Sequence, residues 1–427
     1  VTILHRTDLE TARPEETRER QLERFNLLLA EILPRNRFYA AKFGSLTPPL
    51  DWIEFAALPF TTKAELVKDQ LAAGPLGTIA TYPRERYLTY HQTSGTTGRP
   101  LMVLDTRETW DWWIECWQYI YRAANVTEHD RLFMAFSFGP FIGFWAAHTA
   151  GLQLGAMGIP GGGLDSKARL RMIANSEATV LLSTPTYAMR LAEVARQEGI
   201  ALSTLGVHTT IHAGEAGASI PQVRDRIQRA WGAKCFDHSG ATEVGAYGYT
   251  CDAQTGLHII ESEFIAEVLD PKSGQAVPEG SVGELVLTNL GRAGWPVIRY
   301  RTGDLVRAGG HTCVCGRTFQ MLPGGLIGRA DDLMVVRGIN IYPSSIEAIV
   351  RNFEVDEFRI VRMRRQEMEE LLVEVEATND VADALADAFS AQLAVRIPTR
   401  SVAPNSLPRF ELKAQRVVDR RGNPESL

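Results

Sequence analysis

Residues 179–243 read TVLLSTPTYAMRLAEVARQEGIALSTLGVHTTIHAGEAGASIPQVRDRIQRAWGAKCFDHSGATE. Two strand-like runs, TVLLS and VHTTIHA, alternate here with helical patterns over 186–198 and 221–231, and a further helical segment at 165–176 precedes them. Such alternation argues for a layered α/β domain with parallel strands. Toward the N-terminus, 86–104 reads as two strands around a polar turn, and 106–124 is a tryptophan-rich helix. Residues 15–45 read as one helix, with Leu22, Phe25, Leu28, Leu29 and Ile32 at helical spacing. Toward the C-terminus, 259–308 becomes strand-rich, with Pro and Gly turns. Near Gly328-Arg329 the texture changes to strand, helix, two strands and helix. The expected organisation is a large N-terminal α/β domain with a β-barrel-like part, residues 1–328, followed by a small α+β domain, residues 329–427.

The 427 residues are 45% hydrophobic and 22% charged, a composition able to bury a large core and unlike that of disordered or collagen-like chains. With 45 basic and 51 acidic side chains the net charge is −6, so no general basic field exists to hold nucleic acid. Cys116, Cys235, Cys251, Cys313 and Cys315 are an odd set and do not read as a secreted disulfide framework. No signal-like apolar run opens the sequence, which makes the cytoplasm the expected compartment. Leu132 to Leu164 carries no charge, yet Pro140, Pro160 and Gly161 to Gly163 interrupt it. It therefore reads as buried strands and turns, and no membrane association is expected.

Five motifs carry chemistry. Thr93-Ser94-Gly95-Thr96-Thr97-Gly98-Arg99-Pro100 combines glycines with hydroxyls, which lets backbone N–H groups and side chains approach an anion; the plain alternative is a β-turn. Asp237-His238-Ser239-Gly240-Ala241-Thr242-Glu243 places a carboxylate after a glycine turn, suited to Mg²⁺ or simply to a helix start. Tyr300-Arg301-Thr302-Gly303-Asp304 offers an Asp able to accept from a ribose diol. Gly328-Arg329-Ala330-Asp331-Asp332 and Leu407-Pro408-Arg409-Phe410-Glu411-Leu412-Lys413 complete the series. The chain has seven lysines against 38 arginines, and Lys413 is the only one after Lys272. A lone lysine amid arginines suggests a requirement for a compact ammonium.

In this order and spacing the five motifs resemble the adenylate-forming enzymes: acyl-CoA synthetases, peptide-synthetase adenylation domains and luciferases. The phenylacetate-CoA ligase group matches best, through Asn36-Arg37-Phe38-Tyr39, Asp237 to Glu243 and the closing Leu-Pro-Arg…Lys-Ala phrase. The resemblance implies that Thr93, Ser94, Gly95, Thr96, Thr97 and Gly98 cradle the ATP phosphates. Glu243 helps to bind Mg²⁺, and Thr242 and Ser239 flank the nucleotide. Gly214, Glu215, Ala216 and Asp237 contact adenine, and Asp304 and Arg329 hold the ribose. Asp331 is the hinge of a mobile small domain, and Lys413 reaches the α-phosphate and the carboxylate. Thr93, Glu243 and Lys413 are thus the catalytic set. One departure is Ser239, where the family usually has an aromatic residue stacked on adenine, a contact worth about 1–3 kcal/mol.

The same resemblance implies that Phe138, Gly139, Phe141 and Ala213, with the His238 region, line the acyl pocket; their phenylalanines and glycines suit a flat aromatic acid, with His238 or His212 available to a ring hydroxyl or amino group. Cys251, His258, Cys313 and Cys315 form a candidate structural Zn²⁺ set, with His311 as a competing ligand. The implied activity is adenylation of an aryl acid by ATP and Mg²⁺, followed by transfer to CoA. Alternatives are transfer to a carrier-protein thiol or an amine, or a non-catalytic nucleotide-binding relative. A homodimer is the assembly entertained.

Overall fold

The computed structural model describes residues 7–93, 99–140, 142–143, 145–215, 217–336, 339–365, 368–410 and 414–421. Its centre is an eight-stranded sheet. Five strands, Met157–Pro160, Arg131–Met134, Val180–Ser183, Thr209–His212 and Lys234–Ala241, run parallel in that order. Gly245–Thr250, Gly256–Ile259 and Met321–Pro323 extend it antiparallel. The alternation read from 179–243 is therefore this sheet, and its connecting helices are Ser166–Asn175, Pro185–Gln197 and Pro221–Trp231.

Those helices bury one face of the sheet through Leu170, Ile173, Leu191, Val194, Ile227 and Trp231, with the Trp231 indole N–H donating to the Ala188 carbonyl at 3.1 Å. The helices Arg107–Ala123 and Trp145–Leu154 supply Trp117, Ile120, Ala146 and Ala150 to the main core. Fully burying a side chain the size of Leu or Phe is worth about 1.5–3 kcal/mol, so these two layers dominate the stability of the sheet. The uncharged stretch 132–164 is resolved into strand, turn, helix and strand. Among the described residues no helix is long and apolar enough to cross a membrane.

Phe264–Leu269, Val282–Asn289, Tyr300–Arg307 and Leu326–Arg329 form a separate antiparallel sheet, the strand-rich part expected from 259–308. Beyond it, a third core cluster draws on Met334 to Ile397 around the sheet that pairs Phe358–Arg365 with Met368–Val375. The single helix expected over 15–45 is two helices, Pro14–Ile32 and Arg37–Phe43. Asn36 restarts the chain: its Oδ1 accepts from the Tyr39 amide at 3.0 Å, while its Nδ2 donates to Ile79 O and Thr81 Oγ1 at 2.6 and 2.9 Å. An Asn cap outweighs the helical periodicity that runs across it.

Candidate active site

The parallel strands end together. In the register Ser183 pairs with His212 and His212 with Asp237, so 213–215 leave the sheet beside 238–239, which continue as strand paired only with Gly245–Thr250. Ligands of open α/β sheets bind at this carboxyl edge.

The Gln92 amide donates to Pro140 O at 2.8 Å, which sets the end of the hairpin Tyr87–Gln92/Met102–Thr106, and Thr93 after it, beside the segment that follows the strand Arg131–Met134. Thr93 closes the neck of its loop twice: its amide donates to Leu101 O, and its Oγ1 accepts from the Leu101 amide, both at 3.0 Å. Ser94, Gly95, Thr96, Thr97 and Gly98 lie outside the described residues, as do Phe141, Ala216 and Lys413.

Glu243 is buried. Its Oε1 accepts from the Tyr300 hydroxyl at 2.8 Å and faces Lys63 Nζ at 3.3 Å. Lys63 begins a helix capped by Thr62, and nothing local in the sequence linked it to Glu243. Arg292 Nη1 donates to the Thr242 carbonyl at 2.9 Å and so braces the backbone just before Glu243. Gly245, at φ 134°, sits where a Cβ would strike Trp112 at 2.7 Å, so this turn needs glycine.

Asp304 receives Arg329 Nη1 at 3.3 Å, and Arg329 Nε also pairs with Asp331 at 2.9 Å. Arg329, Asp304 and Asp331 thus form one cluster where the antiparallel sheet ends. The buried Tyr247 hydroxyl lies close to Ser239 and Asp304. Tyr247 was not legible as a site residue; it brings a ring close to the serine that stands in the usual aromatic position. Asp237 accepts from the Ser219 hydroxyl, and burial pushes its carboxyl up to about 7. Next to this pair lies a cavity of about 200 Å³ lined in part by Ser219, Thr250, Gln254 and Arg224. Gly214 adopts φ 98°, and Glu215 Oε1 accepts the Thr186 amide at 2.9 Å. Its Oε2 accepts the amide of Ala414, the residue after Lys413, at 2.7 Å.

A ring-lined region sits beside these groups. Trp117 meets His238 at 4.5 Å between centroids, and Phe138 packs on Phe136 and Trp145 at 5.0 and 4.7 Å. The Trp145 indole N–H donates to Gly139 O at 3.1 Å, and Ala213 packs against the main core. His238 Nδ1 lies 3.0 Å from the Gly248 carbonyl, an acceptor, so this nitrogen carries the proton. Burial pushes His238 down to about 4, which leaves Nε2 a bare acceptor at neutral pH. His212, by contrast, is fully shielded, with Nε2 on Thr210 Oγ1 at 2.9 Å, and serves the core.

The four proposed metal ligands come together from three segments. The donor atoms of Cys251, His258, Cys313 and Cys315 all lie within 4.8 Å of one another. Cys251 Sγ is 3.7 Å from Cys313 Sγ, and Cys315 Sγ is 3.6 Å from His258 Nε2. Zn–S bonds of about 2.3 Å in a tetrahedron give edges of about 3.8 Å. His258 Nδ1 donates to Phe319 O at 3.1 Å, which turns the Nε2 lone pair inward. His311 faces Glu261 and Thr318 O instead.

Two family models match the chain: AMP-binding enzyme over residues 56–291, and AMP-binding enzyme C-terminal domain over 338–421. The chain belongs to the AMP-binding enzyme family. Among curated proteins, this family member is 30% identical to the phenylacetate-coenzyme A ligase of Escherichia coli (strain K12) over 434 residues, 97% of each chain. It is also 30% identical to the phenylacetate-coenzyme A ligase of Thermus thermophilus, over 88% of this chain and 85% of that one. A solved 2-hydroxyisobutyryl-CoA ligase in the postadenylation state, with 2-HIB-AMP, superposes with TM-score 0.92 at 30% identity, covering 97% of this chain and 91% of that one. The same ligase in the thioesterification state with CoA gives 0.74 at 31% identity, covering 97% and 92%. The fold and motif order are those of the adenylate-forming ligases, and the arrangement of this AMP-binding enzyme is closer to the postadenylation form.

Proposed function

We propose that the protein is an AMP-forming aryl-acid–CoA ligase. The observation that carries the aromatic assignment is the two ring pairs, Trp117 with His238 and Phe136 with Phe138, on residues that follow or pack against the carboxyl ends of the parallel strands. In this reading the acid's carboxylate oxygen attacks the α-phosphorus of ATP, pyrophosphate leaves, and the acyl-AMP then reacts with the CoA thiol to release AMP. No covalent enzyme intermediate is required. Positioning and charge stabilisation supply the rate.

Thr93 and residues 94–98 would hold the phosphates, Asp304 and Arg329 the ribose, and Asp237 with Gly214 and Ala216 the adenine. Glu243 would supply a carboxylate oxygen for Mg²⁺, whose positive charge would offset the negative charge of the phosphates. Lys413 adds a cation at the α-phosphate. Residues 329–427 act as the mobile small domain, turning at Asp331 between the two half-reactions. Lys413 then withdraws and a thiol enters. His238 Nε2 favours acids that bring a hydroxyl or amino hydrogen to it.

The Cys251, His258, Cys313 and Cys315 set fits a structural Zn²⁺ that staples residues 313–315 to the strand Gly256–Ile259. Metal analysis of the purified chain should find about one zinc per chain. Its absence would refute this assignment.

The deciding experiment is mass spectrometry of products from ATP, Mg²⁺ and a panel of benzoic, phenylacetic and cinnamic acids bearing hydroxyl or amino groups, with and without CoA. AMP with an aryl-CoA supports the reading. Acyl-AMP without a thioester moves the acceptor to a carrier protein or an amine. Nucleotide binding without pyrophosphate release marks a non-catalytic relative.

A further inference from the structure

We propose that Glu215 is a positioning residue for the adenylation step: it latches the C-terminal tail at Ala414, the residue after Lys413, against the large domain. The inference rests on the role given to Lys413 above and assigns to Glu215 a task other than contact with adenine.

Glu215 spends both carboxylate oxygens on backbone amides. Oε1 takes the Thr186 amide at 2.9 Å, and Oε2 takes the Ala414 amide at 2.7 Å, from a residue 199 positions away in sequence. Thr186 lies in the first turn of the helix Pro185–Gln197, where amides have no partner within the helix and are free to be shared. Adjacent contacts run between the same two segments. Arg416 Nη1 and Nη2 lie 3.4 and 3.5 Å from Thr186 Oγ1, and Arg416 is itself held by Glu357 at 2.6 Å and Glu347 at 3.2 Å. On the other side of Lys413, Arg409 lies 3.6 Å from Glu193 of the same helix and is clasped by Glu376 at 2.7 Å. The tail is thus pinned on both sides of Lys413, and the Glu215 contact is one residue from it.

The side chain must be a carboxylate to do this. Gln has the same length but only one accepting oxygen, so it cannot serve both amides. The latch crosses from the sheet edge to the tail, so it must open when the small domain turns. Glu215 therefore favours the first half-reaction and not the second.

The test compares wild type, Glu215→Gln and Thr186→Pro in the full chain. Proline is tolerated in a first helical turn, and Thr186→Pro deletes the amide that Glu215 Oε1 accepts and the hydroxyl facing Arg416, while the Glu215 side chain itself is unchanged. Two readouts are taken. Hydrogen–deuterium exchange of the 407–421 peptide reports on docking without turnover. Pyrophosphate release, with an acid that the wild type uses, is set against thioester formation from that acid's adenylate and CoA. The expected result is faster exchange at Ala414 in both variants. Pyrophosphate release falls about 10- to 100-fold, the size expected for lost hydrogen bonds to a charged group, while the second half-reaction changes less than about twofold. Equal losses in both half-reactions, unchanged pyrophosphate release, or unchanged exchange would each overturn the latch. A wild type that releases no pyrophosphate with any acid would refute the proposed function, and the exchange readout would still judge the latch.

Discussion

Arg292 and Asp105 meet in a two-pronged ion pair, Nε to Oδ1 at 2.8 Å and Nη2 to Oδ2 at 2.7 Å, with both side chains fully shielded from solvent. The third guanidinium nitrogen holds the Thr242 carbonyl, so a buried pair 187 residues apart in sequence sets the backbone that presents Glu243. Replacing Arg292 with Met leaves Asp105 buried and unpaired, at a cost of about 3–5 kcal/mol. The double variant Arg292→Met/Asp105→Leu removes both charges and should recover a large part of that loss. Urea unfolding of the three chains measures this. A double variant less stable than Arg292→Met would contradict it.

Glu243 shares one oxygen between Tyr300 and Lys63. If Glu243 serves Mg²⁺, the Lys63 ammonium competes with the ion. Glu243→Gln should slow adenylation and raise the Mg²⁺ concentration needed for half-maximal rate, whereas Lys63→Met should lower that concentration by a few fold. Lys63 is more than a third exposed, and solvent screening keeps the second effect small. Magnesium titrations of pyrophosphate release distinguish the two directions.

His238 presents an acceptor and no donor at neutral pH. An acid whose hydroxyl or amino hydrogen meets Nε2 should be preferred over its unsubstituted parent by about 10- to 100-fold in kcat/KM, the usual size for an unmet buried polar group. His238→Leu should erase the preference while retaining activity on the parent acid. A preference that survives in His238→Leu places the recognition elsewhere.

Asp237 gives a pH signature. Its folded carboxyl keeps a proton up to about 7, whereas an unfolded Asp loses it near about 3.9. Between those values the folded state binds more protons, so this group's contribution to stability falls as pH rises. Asp237→Asn removes the dependence. Its stability relative to wild type should therefore rise from pH 4 to pH 8 and then level off. A difference independent of pH would contradict the raised pKa.

Much of this was legible in sequence because it is local. Strand and helix alternation around 179–243 follows from apolar periodicity, and the cysteine–histidine pairs stood out by residue type. What escaped was tertiary. Lys63, Trp117, Tyr247 and Arg292 reach the site from elements whose own sequence looks like helix start, core or turn. A motif also does not reveal that two amides, one of them from the tail, take both oxygens of Glu215. The break at Asn36 was hidden because a capping side chain interrupts a helix without disturbing its apolar spacing.

The most direct test of the central claim follows oxygen. The acid preferred in the product panel is labelled with ¹⁸O in its carboxylate and converted with ATP, Mg²⁺ and CoA. Attack of the carboxylate on the α-phosphorus requires one labelled oxygen to leave in AMP, so the AMP should gain two mass units. Unlabelled AMP, or ADP and phosphate in its place, would contradict adenylation of the acid.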